Sequence, residues 1–217
     1  MTTFIATLVM GRLIAADPVT VTQHYKVGPA LAYEMKLEAD ANGQPIKLNA
    51  DFTFKVNKLL EEGKVAGEIE VKKMTMDMGG NLNELSMPPD AHEYDLFGMP
   101  DTMKFQEAEA AIALFSLSSF VPGKALNTGD TFKIAWISKD KSIAVSGTGT
   151  FVGVKVVEGK NIASFKTEMD IKPESDSEGH AIIKAQIDAE TGQLISSEID
   201  LTVEEIKAKG TISRSKK

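Results

Sequence analysis

The chain has 217 residues, no cysteine and a formal charge of −7. That length suits one large β domain or two small ones, and is enough to bury a sizeable core. The acidic balance argues against a nucleic-acid surface, which needs clustered lysine and arginine. The absence of cysteine excludes thiolate catalysis, disulfides and cysteine-ligated zinc.

Phe4 to Ala16 (FIATLVMGRLIAA) has the length of a signal h-region and ends in small residues before Asp17-Pro18. No positive charge precedes it, Arg12 interrupts it, and it is too short to span a bilayer. Three readings of residues 1–17 stay open: a remnant of an export signal, a retained amphipathic helix, or an ordinary core segment. Export places the protein in the periplasm or outside the cell; the other two leave it cytoplasmic. Residues 18–217 are then expected to form a single β domain.

Val19 to Thr22 is extended. Leu31, Tyr33, Met35 and Leu37 alternate with charged or small residues, the period-two pattern of a half-buried strand. Asn42-Gly43 suits the positive φ angles of a tight hairpin, after which Ile46, Leu48, Ala50, Phe52, Phe54 and Val56 alternate again. Glu62-Gly63 turns into Val65, Ile69 and Val71. At Lys72-Lys73 the alternation slips by one residue and Met74, Met76 and Met78 carry the apolar face onward, which marks a β-bulge or a bend. Gly79 to Thr102, with Pro88-Pro89, Gly98 and Pro100, reads as an irregular crossover without a long regular element.

Phe105, Ala108, Ile112, Phe115 and Ser119 recur at spacings of three and four, which predicts a helix over about 104–121. Asp101 or Thr102 can cap it, Glu107 and Glu109 suit the positive end of its dipole, and Pro122-Gly123 stops it. Asn127 to Asp130 then turns into Phe132, Ile134 and Trp136. Ile143, Val145, Gly147, Gly149 and Phe151 follow before the parity changes to Val152, Val154 and Val156; the glycines imply close backbone approach or strong curvature. Glu158-Gly159 leads into Ala163 to Ile171, a polar loop to Ile183–Ile187, and Thr191-Gly192 to Ile195–Val203. The basic tail (Lys207, Lys209, Arg214, Lys216, Lys217) reads as a solvated terminus. The fold class expected is mainly β (α+β): a curved antiparallel sheet or incomplete barrel of two meanders, residues 30–78 and 131–208, packed on one central helix.

The run P-G-K-A-L-N-T-G-D-T-F (122–132), the turn at Glu158-Gly159 and the run D-A-E-T-G-Q-L (188–194) resemble a pattern in uncharacterised secreted bacterial β proteins. The strand-and-helix order over residues 30–208 also looks like the lipoprotein-carrier fold. That resemblance implies a curved, incomplete barrel holding acyl chains against a helical lid. It transfers no site residue by position.

Three clusters carry candidate chemistry. Six of the ten methionines lie between positions 74 and 103, and methionine-rich surfaces adapt to variable apolar ligands. Met74, Met76 and Met78, facing Ile112 and Phe115 on the helix, would line an apolar-ligand or lipid site; ordinary gap-filling in a core is the plainer account. Glu174, Asp176 and Glu178 alternate before Gly179 as in the first half of a calcium loop, but Ala185 stands where the closing glutamate belongs, so a solvated hairpin loop competes. His92 among Asp90, Glu93 and Asp95 could be a general base oriented by a carboxylate, against the simpler reading of loop polarity. No G-x-S-x-G elbow, phosphate loop or H-E-x-x-H is present. Three functions remain: an exported binder of an apolar or amphiphilic small molecule between sheet and helix, a calcium-dependent or metal-free hydrolase of a small ester or lactone, and an interaction module with no small-molecule site.

Overall fold

The computed structural model describes residues 17–22, 24–41, 43–95, 100–101, 120–139, 141, 143–173, 178–204 and 206–215. Thirteen strands are described: β1 (Val19–Thr20), β2 (Leu31–Ala41), β3 (Gln44–Leu59), β4 (Val65–Met78), β5 (Asn81–Leu85), β6 (Asp90–Tyr94), β7 (Ala125–Leu126), β8 (Thr131–Ile137), β9 (Ile143–Val157), β10 (Lys160–Pro173), β11 (Gly179–Asp188), β12 (Leu194–Val203) and β13 (Ile206–Arg214). Eleven form one open antiparallel sheet, ordered β5-β4-β3-β2-β13-β12-β11-β10-β9-β8, with β6 beside β5 on the outer edge of β4. β1 and β7 pair separately.

The alternation read from the sequence determines which face is buried. Tyr33 and Met35, then Leu48, Ala50, Phe52, Phe54 and Val56, then Val65 and Ile69 point inward, while Glu34, Lys36, Asn49, Asp51 and Lys55 point out. The same inner face continues through Phe132, Ile134, Val145, Phe151, Phe165, Met169, Ile183, Ile199, Ala208 and Ile212 as one hydrophobic cluster. Among the described residues the short β1–β7 pair is the one other sheet, and the large sheet curls over its own apolar face. Its two ends approach each other: Asp101, tied to β6 by its amide bond to the Glu93 carbonyl, accepts at its own carbonyl from the Lys139 amide just after β8, at 2.9 Å. Val21, Phe120, Val121 and Leu126 add to the core from the β1–β7 pair.

Bulges re-aim strands where the parity shifts were read. Lys72 is the extra residue between the Asp51–Lys73 and Phe52–Val71 pairs, and Val152 is the extra residue beside Ser164 and Phe165. Beyond that second bulge Val152 and Val156 face solvent, at 54% and 71% exposure. Gly149 bears out the close approach expected of it: the Phe132 ring lies on its bare backbone, and a Cβ there would run into the ring. Glu158 and Gly159, at φ 51° and 77°, form the two-residue turn whose twist matches a β-hairpin.

Two expectations are corrected. The basic stretch 206–214 is not a solvated terminus but β13, paired on both sides and joining the two meanders into one sheet. Its inward positions Ala208, Gly210 and Ile212 are mostly small and its lysines point out, so charge masked its alternation. The crossover after Gly79 is also more regular than expected, because the free edge of β4 recruits β5 and β6 through backbone pairing that needs no strong sequence signal. The predicted helix over about 104–121 lies outside the described residues save for Phe120 and Val121, and no α-helix occurs among the described ones. No helix there is long and apolar enough to cross a membrane.

Candidate functional site

The inner face is closed poorly at one end. There Tyr25 to Pro29, running in from β1, bridges β2, β3, β6 and the β11–β12 turn. The His24 amide bonds the Thr191 carbonyl at 2.9 Å, and the Tyr25 hydroxyl donates to the Asp95 carbonyl at 3.3 Å. Beneath this strap lies a cleft of about 340 Å³. Leu31, Phe54 and Val56 make its apolar wall; Tyr33, Tyr94, Gln193 and Arg214 supply polar groups. A cleft that is mostly apolar with a few converging polar atoms is the usual form of a small-molecule site.

Gly67 is what lets Tyr94 reach this position. It pairs with His92, two pairs from the Val65–Tyr94 pair, and with no side chain there Tyr94 meets Phe54 edge-on at 5.1 Å. A Cβ on Gly67 would sit 2.8 Å from the Phe54 ring and 3.1 Å from Tyr94. The Tyr94 hydroxyl is buried and has no hydrogen-bond partner among the described residues. Burial first, then the charges of Asp90 and Asp101, push its phenol far above the usual range. An unmet buried hydroxyl costs about 1–3 kcal/mol.

Arg214 ends β13 opposite Tyr33 on β2. It is half-buried, and its Nη1 donates to Gln193 Oε1 at 3.3 Å. Among the described residues no carboxylate lies within ion-pair distance of it. Tyr33 donates to the Leu194 carbonyl at 3.4 Å, and burial pushes its phenol up to about 12 although Arg214 pulls it down.

The residues singled out in the sequence fall elsewhere. Asp90 and His92 lie on the inner side of β6, with His92 Nε2 2.8 Å from Asp90 Oδ2. Asp101, which was not singled out, completes the group at 3.4 Å from His92 Nδ1. Each ring nitrogen therefore faces a carboxylate oxygen, an arrangement that fixes the orientation of the imidazole. Glu93 points to the opposite face and is exposed, and the Asp95 carbonyl serves the strap. Met74 is fully buried, Met76 packs at the core margin, and Met78 is 44% exposed; none of the three lines the cleft. Ile112, Phe115, Glu174 and Asp176 lie outside the described residues. Glu178 is exposed and pairs with Lys172 at 2.9 Å, a bond that raises the lysine pKa. Among the described residues no group of three acidic or histidine side chains is arranged to hold a metal ion.

The cleft residues were missed for a plain reason. Tyr33, Phe54 and Val56 read as ordinary core, Tyr94 lay in a stretch read as loop, and Arg214 lay in the supposed tail.

No protein-family model matches the chain, and no curated protein matches it. Among solved structures it is similar to the hypothetical lipoprotein YmcC of Escherichia coli, at 14% identity and TM-score 0.31, over 88% of this chain and 90% of that one. It is similar to a candidate exported protein with a YmcC-like fold from Bacteroides fragilis, at 14% identity and TM-score 0.35, over 92% of this chain and 100% of that one. A candidate lipoprotein from Parabacteroides distasonis shows 10% identity and TM-score 0.39, over 89% of this chain and 97% of that one.

Proposed function

We propose that this is an exported protein that holds an apolar or amphiphilic small molecule in the cleft under the Tyr25–Pro29 strap. The observation that carries the reading is a mostly apolar cleft of about 340 Å³ lined by Tyr94, whose buried hydroxyl meets no partner among the described residues. A core residue of no further use would ordinarily be phenylalanine there, because phenylalanine fills the same space without the cost of an unmet hydroxyl. The export half rests on the apolar stretch Phe4–Ala16. The site proposed here differs from the methionine face expected from the sequence, since Met78 is exposed and Met74 is sealed in the core.

The test is uptake of the neutral fluorophore N-phenylnaphthylamine by the wild type and by Leu31→Trp, whose indole fills the cleft from its half-buried rim. Enhanced emission in the wild type, lost in a Leu31→Trp protein that melts at the same temperature, is the expected result. No uptake by the wild type, or equal uptake by both, sinks the reading. Recovery of the protein from the cytosol on cell fractionation would sink the export half alone.

A further inference from the structure

We infer that the molecule bound is an anionic amphiphile with one apolar chain, its oxyanion held by Arg214 and its chain lying along Leu31, Phe54 and Val56. This rests on the cleft being a ligand site at all, as proposed above. Three observations set the charge and the shape. A half-buried guanidinium on the cleft wall, with no carboxylate within ion-pair distance among the described residues, is a charge partly removed from water without an opposite charge to compensate it. Among the described residues it donates to the neutral Gln193 amide alone, which leaves further N–H donors for the forked recognition of a carboxylate or phosphate.

The second observation is the sign of what surrounds it. Lys26 also lines the cleft, whereas no aspartate or glutamate does. The protein as a whole carries −7, so a cleft lined by two cations and no acid runs against the background charge. Tyr94 supplies the third observation: it lines the same cleft as Arg214, and its hydroxyl meets no hydrogen-bond partner among the described residues. At about 340 Å³ the space lies at the small end of ligand sites, roughly 300–1,000 Å³, and suits one chain rather than two.

Carboxylate and phosphate share this chemistry, so the probes separate them. Oleate and a lysophosphatidate of the same chain length supply the two oxyanions, oleyl alcohol supplies the chain without charge, and inorganic phosphate supplies charge without chain. Titration calorimetry below the micelle concentrations is expected to show one equivalent of oleate or lysophosphatidate bound at least tenfold more tightly than oleyl alcohol. That preference shrinks as salt rises, and inorganic phosphate alone gives no heat. Arg214→Gln removes the preference while leaving oleyl alcohol unchanged, and Arg214→Lys, which keeps the charge but not the fork, keeps part of it. Tyr94→Phe weakens all chain-bearing probes about threefold.

Equal wild-type affinity for oleate and oleyl alcohol overturns the anionic assignment and leaves the apolar cleft standing. Binding of no chain-bearing probe overturns both. The wild-type comparison decides the matter even if Arg214→Gln does not fold.

Discussion

The inner cleft at Tyr94 and Arg214 can be set against a depression on the outer face at His180. The two are of similar size, about 340 and 430 Å³, and each mixes aromatic or imidazole groups with charge. On the outer face, His180 lies 2.9 Å from Asp170 and 3.7 Å from Glu168, and all three side chains are between 44% and 61% exposed. Its charges face one another and water screens them. On the inner face a hydroxyl and a cation are left over among buried aromatic rings. Size and composition do not distinguish the two depressions; burial and unfinished pairing do.

The largest expected difference between the faces appears in alkali. The Tyr33 phenol rises from 10.0 to about 12 on folding. A group whose folded pKa is raised leaves stability unaffected below its unfolded pKa and removes it as pH climbs through the folded value. Between about pH 10 and 12 the wild type should therefore lose about 3 kcal/mol through Tyr33, with Tyr94 adding in the same direction. Urea unfolding of Tyr33→Phe across that range should show a shallower loss, and an equal loss would refute the buried phenol. No substitution among the exposed side chains at 168, 170 and 180 should alter that slope.

A smaller effect separates two orphaned hydroxyls. Among the described residues Thr167 Oγ1 and the Tyr94 hydroxyl are both buried without a partner, but Thr167 does not line the Tyr94 cleft. Thr167→Val and Tyr94→Phe should each stabilise by about 1 kcal/mol, since each removes an unmet polar atom without opening a cavity. Only Tyr94→Phe should change uptake of chain-bearing probes. Altered uptake in Thr167→Val would mean that the effect travels through the core rather than through the cleft.

The smallest effect compares the two histidines. His92, 17% exposed between Asp90 and Asp101, helps hold the segment that carries the bond to Lys139 across the sheet ends. His92→Ala should cost about 1 kcal/mol, because it leaves two acceptors without their donor in partly dry surroundings. His180→Ala should change stability by less than about 0.5 kcal/mol. Equal melting shifts for the two would remove burial as the cause of the difference.

Much of the sheet was legible in the residues. Eight of the strands, from Leu31 to Val203, follow alternations that need only neighbouring residues to be seen; the turns read at Glu62-Gly63 and Glu158-Gly159 are present, and Gly43 has the positive φ expected of it. Even the bulges at Lys72 and Val152 announced themselves as shifts of parity, because the side-chain period of a strand is two and one extra residue inverts it.

What the sequence determined by itself was therefore local: strand, turn, bulge and buried face. Tertiary structure decided the partnerships. β13 lies between β12 and β2 because both present free edges to it, although its own pattern of small and basic residues is weak. β6 exists because β4 has an edge to fill, and its pairing carries Tyr94 over Gly67 and turns His92 toward Asp101. Arg214 and Tyr94, distant in the chain, share a cleft for the same reason. Periodicity records what one residue owes its neighbours, whereas the meeting of two strand ends across a curled sheet depends on the sum of twists and pairings over all the strands between them.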